Sequence, residues 1–159
     1  MKTKNNLIKI TLSILLIGFM FTSCSKDDDD EKNETTTTNA IKMKVDNNAE
    51  IVYKDNFSAM VVVDKLIIGA ADNTSGGDIQ FSLDPDIATG TYTTGFLISH
   101  GVNGQAVFST LSNSSSHTLT ISIHNTADKH IKGEFSINFI DNNTGADRHA
   151  EGSFDVIYL

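Results

Sequence analysis

Ile131-Lys132-Gly133-Glu134-Phe135-Ser136-Ile137-Asn138-Phe139 decides the fold. Apolar residues and glycine occupy every second position, and polar residues fill the gaps between them. A period of two sends alternate side chains to opposite faces of an extended chain, so this segment reads as a strand with one buried face. Its neighbours match it: Leu119, Ile121 and Ile123 form the inward set of 117–124, and Phe154, Val156 and Tyr158 that of the last strand. With Asn125 to Lys129 as a five-residue loop, His124 faces His130 and Leu119 faces Phe135. With Asn142 to Gly145 as a four-residue loop, Ile137 faces Ala150, Phe135 faces Gly152 and Ile131 faces Val156. Inward residues then meet inward residues throughout, and a one-residue slip would turn each apolar side chain to solvent. The same register places Lys132 opposite Asp155 on the solvent face, a pair worth less than about 1 kcal/mol that serves alignment.

The same period runs back to residue 40. Ile41, Met43 and Val45 alternate with Lys42, Lys44 and Asp46; Asn47-Asn48 makes a turn, and 49–54 returns. Ala59 to Val63 and Leu66 to Ala71 flank Asp64-Lys65 as a second hairpin, and their apolar character on both faces places them at the centre of the fold. After the loop Asn73 to Gly77, Ile79, Phe81 and Leu83 form an inward set that ends at Asp84-Pro85-Asp86, because proline removes a ladder donor. Gly90-Thr91-Tyr92 reads as a turn, 95–99 and 104–111 as strands, and Ser112 to Ser116 as a polar loop. No stretch shows the 3.6-residue period of an amphipathic helix. About ten short strands predict an all-β antiparallel sandwich over 40–159, with a closed meander barrel as the alternative because nearly every connection can be a hairpin.

A domain of 120 residues buries enough surface to hold a core without disulfides or metals, and a single cysteine excludes an internal disulfide. Residues 40–159 carry 14 acidic and 7 basic side chains. That excess, with no basic patch, argues against nucleic acid and against electrostatic docking on an anionic membrane.

The N-terminus has a different character. Lys2, Lys4 and Lys9 precede a largely apolar run from Ile10 to Phe21, a secretory signal pattern too short to span a bilayer comfortably; an uncleaved anchor is the other reading. Thr22-Ser23-Cys24 follows, and the segment resembles the signals of bacterial lipoproteins, with Phe21 standing where that pattern usually has Leu. The resemblance implies cleavage before Cys24 (signal peptide 1–23) and acylation of Cys24 by a diacylglycerol and an N-acyl chain such as palmitate. Two or more chains anchor stably, at about 0.8 kcal/mol per buried CH₂. The thiol is then unavailable as nucleophile or metal ligand. Lys26-Asp27-Asp28-Asp29-Asp30 resembles the export signal of Bacteroidetes lipoproteins, which implies handling by lipoprotein export machinery and display on the outer face of the outer membrane. A solvated acidic linker and a calcium site are the alternatives, the latter disfavoured because contiguous aspartates do not converge on one ion. Residues 24–39 hold no run with anything to bury and read as a disordered tether, whose 15 residues from Ser25 span about 20 Å. Gly90-Thr91-Tyr92, Ile131 to Ser136 and Gly152 to Tyr158 together resemble small Bacteroidetes surface-lipoprotein domains, which implies a β fold without an assigned activity; the Trp often found near the first hairpin of such domains is missing.

Catalytic signatures are absent: no phosphate-binding glycine loop, no Rossmann fingerprint, no HExxH and no nucleophile elbow. Of five histidines, His124 and His130 become cross-strand neighbours on the solvent face, an incomplete metal pair, so no cofactor is expected. Asp84 and Asp86 read as strand-ending turn residues before they read as a carboxylate pair for glycoside hydrolysis. Tyr53 and Tyr92 are the remaining aromatic platforms for a glycan. The expectation is a non-enzymatic, lipid-anchored binding or accessory module of the outer membrane whose partner is an extracellular protein or glycan. A small secreted hydrolase and a passive coat or spacer are the alternatives, and a concave pocket against a flat face separates them.

Overall fold

The computed structural model describes residues 39–159; the signal segment, Cys24 and the acidic run Lys26 to Asp30 lie outside the described residues. Every described element is a strand. They are β1 (Ala40–Val45), β2 (Ile51–Tyr53), β3 (Asp55–Val62), β4 (Lys65–Asp72), β5 (Gly77–Leu83), β6 (Gly90–Tyr92), β7 (Leu97–Val102), β8 (Gln105–Ser109), β9 (Ser114–Asn125), β10 (His130–Ile140) and β11 (Asp147–Ile157). Two antiparallel sheets result, a six-stranded one in the order β2-β1-β11-β10-β9-β6 and a five-stranded one in the order β3-β4-β5-β7-β8. The sheets are not closed into a barrel. Four connections (β2 to β3, β5 to β6, β6 to β7 and β8 to β9) pass from one sheet to the other, which a meander of hairpins does not do.

The core is the set of alternate residues facing inward from both sheets. Ile131, Phe135, Ile137, Phe139, Phe154 and Val156 are buried from the six-stranded sheet, against Leu66, Ile68, Ile79, Phe81, Leu83 and Ile98 from the other. The register of β10 with β11 is the expected one, with Ile131 opposite Val156, Phe135 opposite Gly152, Ile137 opposite Ala150 and Lys132 opposite Asp155. Two glycine–aromatic pairs occupy its middle: Gly133 faces Phe154, and Gly152 faces Phe135. A Cβ on Gly133 would sit 2.7 Å from Phe154 Cζ, and one on Gly152 would sit 2.5 Å from Phe135 Cζ and overlap the Lys42 carbonyl. The missing side chains therefore admit the two rings, and Phe81 from the opposite sheet meets both, at centroid distances of 5.4 and 5.0 Å. Tilted and edge-on rings at this spacing add about 0.5–1.5 kcal/mol per pair beyond their burial.

Four features depart from the sequence reading. First, β3 is not central but an edge strand, and Met60, Val61 and Val62 are exposed on it. Apolar residues on both faces here mark a strand end that neither face covers. Second, the hairpin turn is Val63-Asp64, since Val62 pairs with Lys65. Third, Gly90-Thr91-Tyr92 is a short strand paired with β9 through Thr91 and Thr120, and β9 begins inside the expected polar loop. Fourth, β9 slips by one residue between Lys132 and Gly133: Gly133 pairs with Ile121, Lys132 with Ile123 and Ile131 with His124, leaving Ser122 as the bulged residue. Ile123 is consequently exposed, and the β9–β10 loop shortens to 126–129. Gly133 allows the bulge, because a side chain there would strike the Thr120 carbonyl.

Side chains in the connections tie the two sheets together at Asn113 and fasten strand ends within one sheet at Asp46. Asn113 Nδ2 donates to Val107 O (3.1 Å) and to the Ile140 carbonyl, while its Oδ1 accepts from Ser109 N at 2.7 Å. Asp46 caps the first turn with φ of 52°, accepting from His149 N at 2.9 Å and pairing with Arg148. These bonds hold the Asp46 carboxyl below the usual carboxylate range, the His149 amide contributing most.

Candidate functional site

The outer face of the six-stranded sheet carries two rows of side chains set by the register. One row runs Thr91, Thr120, Glu134, Ser153, Lys42, and the next runs Thr118, Ser136, Glu151, Lys44. Neighbouring strands lie about 4.8 Å apart, so each row is a ladder of short hydroxyls and carboxylates ending in an ammonium group. Because the central side chains are Ser and Thr, the face sinks into an open depression of about 430 Å³ over Thr118, Thr120, Glu134, Ser136, Glu151 and Ser153. Glu134 and Glu151 sit diagonally across it, each opposite a serine. Both are exposed, whereas acid–base catalysis relies on one carboxyl being desolvated. What the face offers is acceptors and hydroxyls in a plane, suited to hydrogen-bonding an extended polar surface. Thr91 Oγ1 and Thr120 Oγ1 already share one such bond at 3.1 Å.

The histidine pair does not form as expected. The β9 bulge moves His124 opposite Ile131 and turns it off the solvent face, while His130 pairs with Asn125. His124 Nδ1 lies 2.6 Å from the Ile87 carbonyl, so that nitrogen carries the proton, and its Nε2 accepts from Tyr158 Oη at 3.0 Å. Both ring nitrogens are thereby engaged. His130 Nε2 instead meets Asp155 Oδ1 at 2.8 Å, and Lys132 Nζ meets the other oxygen of that carboxylate at 3.2 Å. Among the described residues no three His, Cys, Asp or Glu side chains cluster as metal ligands. His149 pairs with Asn138 across β10 and β11 and bonds to it at 2.8 Å.

The carboxylate pair at the proline is a turn device: Asp84 Oδ1 accepts from Asp86 N at 2.9 Å. Tyr53 is fully buried at the end of β2 and is no glycan platform; its hydroxyl has no partner among the described residues, and burial pushes its pKa up, with Asp72 and Asp78 adding to the effect. Tyr92 is half-buried and donates to Ala88 O at 2.8 Å. Tyr158 is core, as its alternation predicts.

Sequence reasoning passed over Glu134, Ser136, Glu151 and Ser153. The signal was present: once the inward set of 131–139 and its pairing with 150–156 are known, the residues between them form the outward set. It also passed over His100, buried beside Tyr53 (5.9 Å, edge-on) and Phe108 (5.5 Å). His100 Nδ1 donates to Asp78 O at 2.7 Å, and burial holds the ring below the usual histidine pKa, so it is a neutral core residue. The chain matches no family model, and no curated protein or solved structure matches it.

Proposed function

We propose that this chain is a lipid-anchored lipoprotein displayed on the outer membrane surface, whose sandwich acts as a non-enzymatic binding module through the outer face of the six-stranded sheet. The observation that carries the binding role is the double row of hydroxyls and carboxylates over a shallow open depression, a layout for planar hydrogen bonding to a protein or glycan surface. The anchor rests on the sequence at Thr22-Ser23-Cys24 and the acidic run after it. A tether of about 20 Å would leave the sheet face clear of the bilayer.

Two experiments test the two halves separately. Metabolic labelling with palmitate should mark the wild-type chain and not Cys24→Ala; equal labelling of both ends the anchor reading. Pull-down from envelope extract with the full chain should recover a partner that Thr120→Arg combined with Ser136→Arg loses. These exposed or half-exposed strand positions accept the change without touching the core, so a partner retained by the double variant removes the face from the proposal.

A further inference from the structure

Strand edges in this fold are protected in three of four places. Edge strands β2 and β6 have only three residues each. The β8 edge is covered by Asn142, whose backbone amide bonds to Val107 O (3.2 Å) and whose side chain reaches Ala106 O. Short or covered edges are the ordinary defence against strand addition. The fourth edge, β3, is bonded from outside at Ala59 by the Leu159 amide but lies open beyond it; it has eight residues, and from Asn56 to Val63 it carries no charge. Met60, Val61 and Val62 are about 40–46 % exposed and Val63 is 96 % exposed. Val63 also has a φ of 59°, a conformation that a β-branched residue rarely adopts, at a turn position where Gly, Asn or Asp is usual.

Hydrogen-bond parity shows which groups face outward. Leu159 N reaches Ala59 O at 2.9 Å from outside the five-stranded sheet, so Ala59 turns its backbone groups away from β4. Val61, two residues on, does the same. Its amide and carbonyl have no protein partner among the described residues.

We infer that this edge pairs with the β3 edge of a second copy of the chain, antiparallel about a two-fold axis at Val61. Three observations select that occupant. Both outward groups of Val61 are free, and two copies satisfy each other's by exchanging both bonds, with Leu159 giving up the Ala59 carbonyl to the Val63 amide of the second copy. The arrangement is self-complementary in side chains: Met60 faces Val62 of the second copy on one side of the new sheet, and the two Val61 side chains meet on the other. The segment is also uncharged in a domain with twice as many acidic as basic groups, which makes it a place where two copies meet without repulsion. The outcome is one continuous sheet across both copies, formed through a seam at the small end of protein interfaces.

Disulfide trapping in cells producing the full chain tests this. Facing residues of a hydrogen-bonded antiparallel pair have Cα atoms about 5.5 Å apart, inside the roughly 4.4–6.8 Å range of disulfides. Under mild diamide oxidation, Val61→Cys should give a covalent dimer at least about tenfold above both Thr118→Cys, on the other sheet, and the wild-type chain, whose sole cysteine is Cys24. Met60→Cys and Val62→Cys should trap poorly alone and well when the two variants are co-expressed. Val61→Cys dimer no greater than the controls overturns the inference. So does a trapped product whose mass differs from two chains, which would identify a foreign strand as the occupant, or equal trapping of all three β3 variants, which would mean random collision.

Discussion

The β9–β11 meander and the β3–β4 hairpin are both rich in alternating apolar residues, yet the first is the middle of the molecule and the second ends in open solvent. In the meander, Phe135 of β10 and Phe154 of β11 stack under Phe81, and glycine at 133 and 152 lets these rings close the layer. In the hairpin, Ala59 is covered, and from Met60 onward the chain leaves the core. The difference teaches that a period of two reports which way a side chain points from its strand. It does not report whether a second layer lies there to receive it.

Three substitutions test this contrast. The largest effect belongs to Gly152→Ala. The added methyl group overlaps the Lys42 carbonyl and the Phe135 ring, and overpacking a closed layer should cost about 3 kcal/mol, read from the denaturant midpoint. An unchanged midpoint would show the meander to be as open as the hairpin.

An intermediate effect is expected at the closed end of the hairpin's sheet, where His100 packs on Tyr53 and Phe108. Its folded pKa is depressed below 6.5 by burial, so the unfolded chain takes up the proton first. Stability from this residue is complete above pH 6.5 and is lost as pH falls through the folded value. Denaturation midpoints should decline on acidification from pH 6.5, and His100→Gln should flatten that decline. Asp46 works in a separate window: its carboxyl is depressed below 3.8, so its contribution is present above that pH and is lost beneath it. A midpoint that holds level down to pH 4 in the wild type would contradict the assignment to His100.

The smallest effect, opposite in sign, is at the open tip. Val63→Gly relieves a positive φ at a side chain that buries nothing and should raise stability by up to about 1 kcal/mol. A loss instead would mean that Val63 is packed in the free chain.

Much of the fold was legible because burial of one face leaves a record in the residue pattern. The pairing of Ile137 with Ala150 and of Ile131 with Val156 follows from matching inward sets across a short loop. The same reasoning failed at His124 because a bulge inserts one residue without disturbing composition. Gly133 within a strand was its only trace, and a glycine also fits the close ring packing found there. The polar face was readable in part, since Glu134 and Ser136 are the complement of the inward set. Thr118 and Thr120 follow from the same register, with Leu119 opposite Phe135; that Thr91 and Lys42 complete the row depends on the order of strands.

By itself the sequence determined an all-β domain over 40–159, together with the inward residues and the register of its last two strands, because each follows from local alternation and short loops. It also carries the N-terminal pattern on which the anchor proposal stands. Only the tertiary structure decided that the strands form two sheets and not one closed barrel, that β3 lies at an edge, and that His124 bonds to Ile87 and Tyr158. Those outcomes depend on which strands, distant in the chain, compete for the same neighbour, and no local pattern encodes the winner.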